Sequence, residues 1–165
     1  MKYIRYLLYV SFMFSACVND QKKAFDQLLE VQSRLMQVED AMSNKVLARE
    51  VLEAYSFFLD AFPDSENNAE ILFNSGQVYK GLGKNLNALE CFYLVHSKFP
   101  ESSWAALAFF QQADCFEAID QRLTAKNTYE EFIERYPDHP YESHAKEMIQ
   151  MLYLTDEELI KQFEK

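Results

Sequence analysis

Glycine and proline are scarce, with three and four respectively in 165 residues. A chain so poor in turn formers cannot make the many tight connections of hairpins or of a parallel sheet, which leaves long helices joined by short loops. Cysteine is equally rare (Cys17, Cys91 and Cys115). No Ser- or Gly-rich stretch divides the chain into two domains. Positive charge is also short: 16 Lys and Arg stand against 26 Asp and Glu, a net charge of −10. So acidic a surface repels phosphate backbones and anionic headgroups, which excludes nucleic acid and favours partners with basic surfaces. The apolar run Tyr6 to Phe14 is well below the roughly 20 residues needed to cross a bilayer.

Aromatics, by contrast, are plentiful, with 14 Phe and 10 Tyr, and their placement is periodic. An aromatic precedes proline at Phe62-Pro63, Phe99-Pro100 and Tyr136-Pro137, 37 residues apart each time. The same apolar ladder leads into each corner: Val51, Tyr55, Phe58, Phe62, then Ala88, Phe92, Val95, Phe99, then Ala125, Tyr129, Phe132, Tyr136. Steps of four, three and four keep every rung on one side of a helix, and the proline ends that helix. A fixed period of this size with two helices per unit predicts stacked helical hairpins that bury their apolar faces on one another.

The spacing predicts helices over residues 21–42, 46–61, 69–82, 86–98, 102–120, 123–135 and 140–154. Gly83 is the expected left-handed residue after the third. Ser102 or Ser103 is expected to cap the fifth, and Pro140 to sit in the first turn of the seventh. Thr155 with Glu158 predicts a capping box for a last short helix carrying Leu159, Ile160 and Phe163. The first turns of the helix from Gln21 are expected to act as a stalk.

The N-terminus has the layout of a secretory leader: Lys2 and Arg5, the apolar run, then Ser15-Ala16 and Cys17. Its ending resembles the lipobox of bacterial lipoprotein precursors, with Phe14 standing where leucine is usual. The resemblance implies a signal peptide over 1–16 and a mature domain over 17–165. It also implies diacylglycerol on the Cys17 thiol and a further acyl chain, such as palmitate, on its amine. A plain cleaved leader with an unmodified cysteine is the alternative. Loss of residues 1–16 removes Lys2 and Arg5 and no acid, leaving 14 basic and 26 acidic residues, a net charge of −12. Neither an aspartate next to Cys17 nor an acidic run follows it, so the expected address is the periplasmic face of the outer membrane.

The stretch Leu72 to Pro100 resembles a tetratricopeptide repeat, with Leu72, Gly76, Tyr79, Ala88, Phe92 and Pro100 at that family's signature positions. Phe109, Ala113, Phe116, Ala125, Tyr129 and Pro137 repeat the pattern. The resemblance implies an all-α, right-handed α-α superhelix of about four helix pairs. The 37-residue period and the aromatic-proline ending also resemble the repeat lipoproteins of the outer-membrane β-barrel assembly machine and the periplasmic repeat protein of the Tol-Pal system. It further implies a partner-binding groove lined by Phe73, Gln77 and Lys80 of one repeat and Phe110, Asp114 and Glu117 of the next. There the two phenylalanines act as apolar anchors, or alternatively they are core.

Other constellations lead to blander readings. The run Gly76 to Lys84 lacks the Lys-Ser/Thr of a phosphate loop, so its glycines serve helix contact and a turn. His139 and His144 match no metal spacing, and His96 is distant in sequence. Glu130, Glu131 and Glu134 belong to a solvated helix face. Cys91 and Cys115 are either a disulfide or two thiols filling helix interfaces. The expected function is non-catalytic binding of a protein partner in the bacterial envelope, with no cofactor or metal. Envelope assembly or maintenance is the setting that the resemblance suggests. The rivals are a self-associating spacer and an unrecognised enzyme or small-molecule binder.

Overall fold

The computed structural model describes residues 20–37 and 44–154. Among these the chain is all-α: α1 (20–36), α2 (Lys45–Ala61), α3 (Asn68–Gly81), α4 (Asn85–Lys98), α5 (Ala105–Ala118), α6 (Arg122–Arg135) and α7 (Glu142–Met151). The last predicted helix, with its Thr155 capping box, and positions 38–43 lie outside the described residues. The chain falls into two compact units, Met1–Asn68 and Ala69–Lys165.

In the first unit α1 and α2 form an antiparallel hairpin, since residues later in α1 meet residues earlier in α2. Arg34 Nη1 meets Glu50 Oε1 at 2.8 Å, Tyr55 donates its hydroxyl to Gln32 Oε1 at 2.9 Å, and Phe25 packs on Phe58 at 5.6 Å. Gln21 Nε2 then donates to Ser65 Oγ at 2.7 Å. The stalk expected from Gln21 onward is therefore corrected: α1 is fastened to the body from its first described turn, because the Phe25 ring escapes water on Phe58 and the Gln21 amide finds an acceptor in the turn after α2. Asn44 starts α2 by accepting the Leu47 N–H on its side chain at 3.1 Å.

The aromatic-proline corners share one geometry. Phe62, Phe99 and Tyr136 cap their helices at φ −132°, −128° and −126°, each returning its N–H to the carbonyl four residues back. Each aromatic carbonyl then accepts the N–H three residues on (Ser65, Ser102, His139). Those residues in turn accept from Asn68, Ala105 and Glu142. The 37-residue period is thus a repeat of backbone hydrogen bonds as well as of side chains. The tight ends of α3 and α5 repeat too. Gly83 and Asp120 sit at φ 70° and 60°, and the next residues, Lys84 and Gln121, donate five residues back to Tyr79 and Phe116.

The same corner corrects two capping expectations. Neither Ser102 nor Ser103 caps α5: Trp104 is the N-cap, without a side-chain bond, and the buried Ser102 hydroxyl has no partner. Helix α7 begins at Glu142, two residues past Pro140, and ends at Met151 rather than 154. In both cases the corner's backbone rungs set the first helical residue, so local side-chain preference is overridden.

In the second unit α3 to α7 are joined by short turns, and neighbours in sequence pack together. One core joins Phe73, Ala88, Phe92, Val95, Ala108 and Cys115. The next joins Phe109, Phe110, Ala113, Ala125, Tyr129, Phe132 and Ala145. The ladder residues Ala88, Phe92 and Val95, and likewise Ala125, Tyr129 and Phe132, are wholly buried. Ala88, Ala113 and Ala125 are fully covered, as their role in close helix approach requires.

Candidate functional site

Helices α3 and α5 lie side by side in the second unit and share a polar face. On α3, Gln77 and Lys80 are three residues apart. On α5, Gln111, Asp114 and Glu117 follow at the same step, so each set lines one helix side. Lys80 bridges the two helices, donating from Nζ to Asp114 Oδ2 at 2.6 Å and to Gln111 Oε1 at 2.7 Å. Tyr129 of α6 donates its hydroxyl to Asp114 Oδ1 at 2.5 Å. One carboxylate therefore ties three helices together.

Four of the six residues expected in the groove share this face: Gln77, Lys80, Asp114 and Glu117. The two phenylalanines do not serve as displayed anchors. Phe73 is 4% exposed, against Phe92 at 5.5 Å and Trp104 at 4.8 Å between ring centres. Phe110 is 1% exposed and surrounded by Tyr129, Phe132, Tyr141 and His144 at 5.1–5.5 Å. The gain from removing a large ring from water decides the matter. Exposed apolar side chains occur elsewhere, at Leu86, Tyr93 and Leu123 on α4 and α6.

Reading the sequence missed Gln111 and Tyr129. Gln111 was detectable, being one helical step from Asp114. The Tyr129 hydroxyl was detectable in principle, because a buried tyrosine needs a partner for its O–H.

The face is electrostatically uneven. Burial, and then Asp114, raise the Glu117 carboxyl above its ordinary range, against the pull of Arg122 and Lys80. Burial and Asp114 push the Tyr129 hydroxyl far up, so it remains a donor. Gln77 and Glu117 are half-buried, and Lys80 already spends its ammonium on Asp114 and Gln111. The unused polar capacity of the face is thus an amide and a carboxylate that gain little from their surroundings.

The other candidates resolve into structure. Cys91 and Cys115 are free thiols, and burial pushes both up to about 11, so neither is a thiolate near neutral pH. All three histidines join one chain of rings. His96 faces Tyr136 at 6.5 Å, Tyr136 faces His139 at 6.5 Å, and Tyr141 lies between His139 and His144 at 5.8 and 6.3 Å. Among the described residues no group of three His, Cys, Asp or Glu side chains could hold a metal ion. Glu130 and Glu131 pair with Lys126 and Arg135 on an exposed face. Gly76 contacts the Phe92 ring, and Gly83 makes a turn. No helix among the described residues is long and apolar enough to cross a membrane.

A family model described as tetratricopeptide repeat matches residues 107–139. That span holds most of α5, all of α6 and the Tyr136-Pro137 corner. It is the second of the two stretches that resemble the repeat in sequence. No curated protein matches the chain.

Proposed function

We propose that this protein is a non-catalytic adaptor of the bacterial envelope that holds a protein partner across the α3–α5 face. The observation that carries the proposal is the pairing of a fixed bridge with unused polar groups. Lys80, Gln111 and Asp114 lock the two helices in register, while Gln77 and Glu117 flank that bridge half-desolvated. A cation brought against Glu117 would favour its charged form, so the partner segment is basic, in keeping with the chain's net charge of −10. The tetratricopeptide match over 107–139 supports a scaffold of this kind, although a repeat fold by itself hosts many partners.

In this reading residues 1–16 are a signal peptide and 17–165 the mature protein. Acylated Cys17 holds it at the periplasmic face of the outer membrane. The work performed there is assembly or maintenance of the envelope, as in the repeat lipoproteins it resembles. The self-associating spacer is the rival.

Photo-crosslinkers placed at Gln77 and Glu117, with one on the outer face at Glu134, test the site in cells. Adducts to one common partner from the first two positions, with the adduct from position 77 lost when Glu117→Lys is added, support it. Adducts from Glu134 alone remove it, and self-adducts that grow with concentration install the spacer. Mass spectrometry of the N-terminal peptide tests acylation separately.

A further inference from the structure

We infer that one end of the first unit, made by the first turn of α1 and the turn between α2 and α3, lies directly against the phospholipid surface. The inference rests on the proposed acylation of Cys17 and adds an orientation to it.

Covalent reach sets the first constraint. Asp20, the first described residue of α1, is three residues beyond Cys17. Three residue steps span at most about 11 Å at full extension, little more than the headgroup layer, which is about 5–8 Å thick on each side of the bilayer. A tether this short permits a gap only if the helix can swing away from the body. It cannot, because α1 is fastened at once. Gln21 Nε2 bonds Ser65 Oγ at 2.7 Å, and Ser65 is buried and also accepts the Asn67 N–H at 3.2 Å. Phe25 adds the ring contact with Phe58. The turn after α2 is itself rigid, since Asn68 Nδ2 donates to the carbonyls of Phe62 and Pro63 at 2.8 and 2.9 Å. The anchor therefore brings the α2–α3 turn to the lipid along with α1.

The chemistry of this end suits that position. Gln21, Lys22, Phe25, Asp64, Ser65 and Glu66 border an open depression of about 450 Å³. Lys22, Asp64 and Glu66 are exposed, and none of them is in an ion pair among the described residues. An ammonium beside two carboxylates complements a zwitterionic headgroup, whose phosphate and amine carry the opposite signs. A uniformly acidic end would be repelled. The opposite end of the hairpin, at Met36 and Lys45, lies about 24 Å along α1 by helical rise, beyond the tether's reach.

The test uses the full acylated chain in vesicles doped with phosphatidylethanolamine that carries a diazirine on its headgroup. After irradiation, adducts are mapped by peptide mass spectrometry, and the Cys17 acyl mass is verified in the same digest. Adducts concentrated several-fold in 20–25 and 63–67 over 34–50 support the inference. Equal adducts in both regions, or an excess in 34–50, on protein with verified acyl chains overturn it and leave acylation standing. An unmodified Cys17 overturns the acylation reading and this orientation together.

Discussion

Gly76 packs against the ring of Phe92: a Cβ built at position 76 would come within 2.5 Å of Cε1 and 2.7 Å of Cζ. The contact joins α3 to α4 at the centre of the first core, where Phe92 is fully buried. A buried ring packed against Phe73 has nowhere to retreat. Gly76→Ala therefore destabilises the protein by about 1–3 kcal/mol through overpacking, even though alanine favours a helix by about 1 kcal/mol. Urea unfolding reads the change; a gain in stability would mean that the two helices separate more easily than this packing allows.

Asp114 accepts from both Lys80 and Tyr129, and its side chain is 19% exposed. Asp114→Ala leaves the Tyr129 hydroxyl and the Lys80 ammonium without their shared acceptor, at a cost of about 2–3 kcal/mol. Asp114→Asn keeps an acceptor for Tyr129 but puts an amide NH2 where Lys80 needs an acceptor, so that ammonium falls back on Gln111, at about 1–2 kcal/mol. Equal losses from the two substitutions would show that the tyrosine bond contributes nothing.

Asp120 occupies the left-handed position that Gly83 fills one repeat earlier, at φ 60°. Its carboxylate is exposed and pairs with Arg122 at a loose 3.4 Å. Asp120→Gly relieves the backbone strain at the end of α5, and the thermal midpoint rises by an amount worth about 0.5–1 kcal/mol. A lower midpoint would show that the Asp120 side chain supports this turn.

His96 stacks on Phe109 at 4.4 Å, and Arg135 Nη1 donates to its Nε2 at 3.2 Å. Burial and the Arg135 guanidinium lower its affinity for a proton below the usual value of 6.5, against opposing effects of an Ala105 backbone hydrogen bond and Glu131. The unfolded chain therefore binds a proton in a range where the folded chain refuses it. Stability contributed by His96 is complete above 6.5 and declines as pH falls toward its lowered folded value. The difference in urea midpoint between wild type and His96→Gln should be larger at about pH 7.5 than at about pH 5. A difference that does not vary with pH removes this coupling.

Phe110→Ala should unfold the second core before it affects any binding. The ring is enclosed by four aromatic neighbours, so its loss costs about 3–5 kcal/mol. Loss of partner recovery in that variant would carry no information about the α3–α5 face. Gln77→Ala and Glu117→Gln are the informative changes, because both should leave circular dichroism and thermal unfolding nearly unaltered.

Much of the fold was legible because it is written as spacing. The three ladders and their prolines locate the ends of α2, α4 and α6, and the structure places them at Ala61, Lys98 and Arg135. Gly83 announced its turn because glycine is the residue that a left-handed site prefers. Asp120 makes the same turn without that signal. The site was only half legible. The resemblance to the repeat family implied that Lys80, Asp114 and Glu117 share a groove, but it could not show that the rings of Phe73 and Phe110 are roofed by Trp104 and Tyr141, which come from other segments.

From its sequence alone the chain determined an all-helical fold, the 37-residue unit and the corners that close each hairpin. These depend on local terms: apolar period, a missing N–H at proline and the backbone freedom of glycine. Tertiary structure decided which side chains remain in water, which carboxylate joins three helices and how firmly α1 is held. Those outcomes depend on what lies across an interface, and burial is a property of pairs of segments that no single stretch of sequence contains.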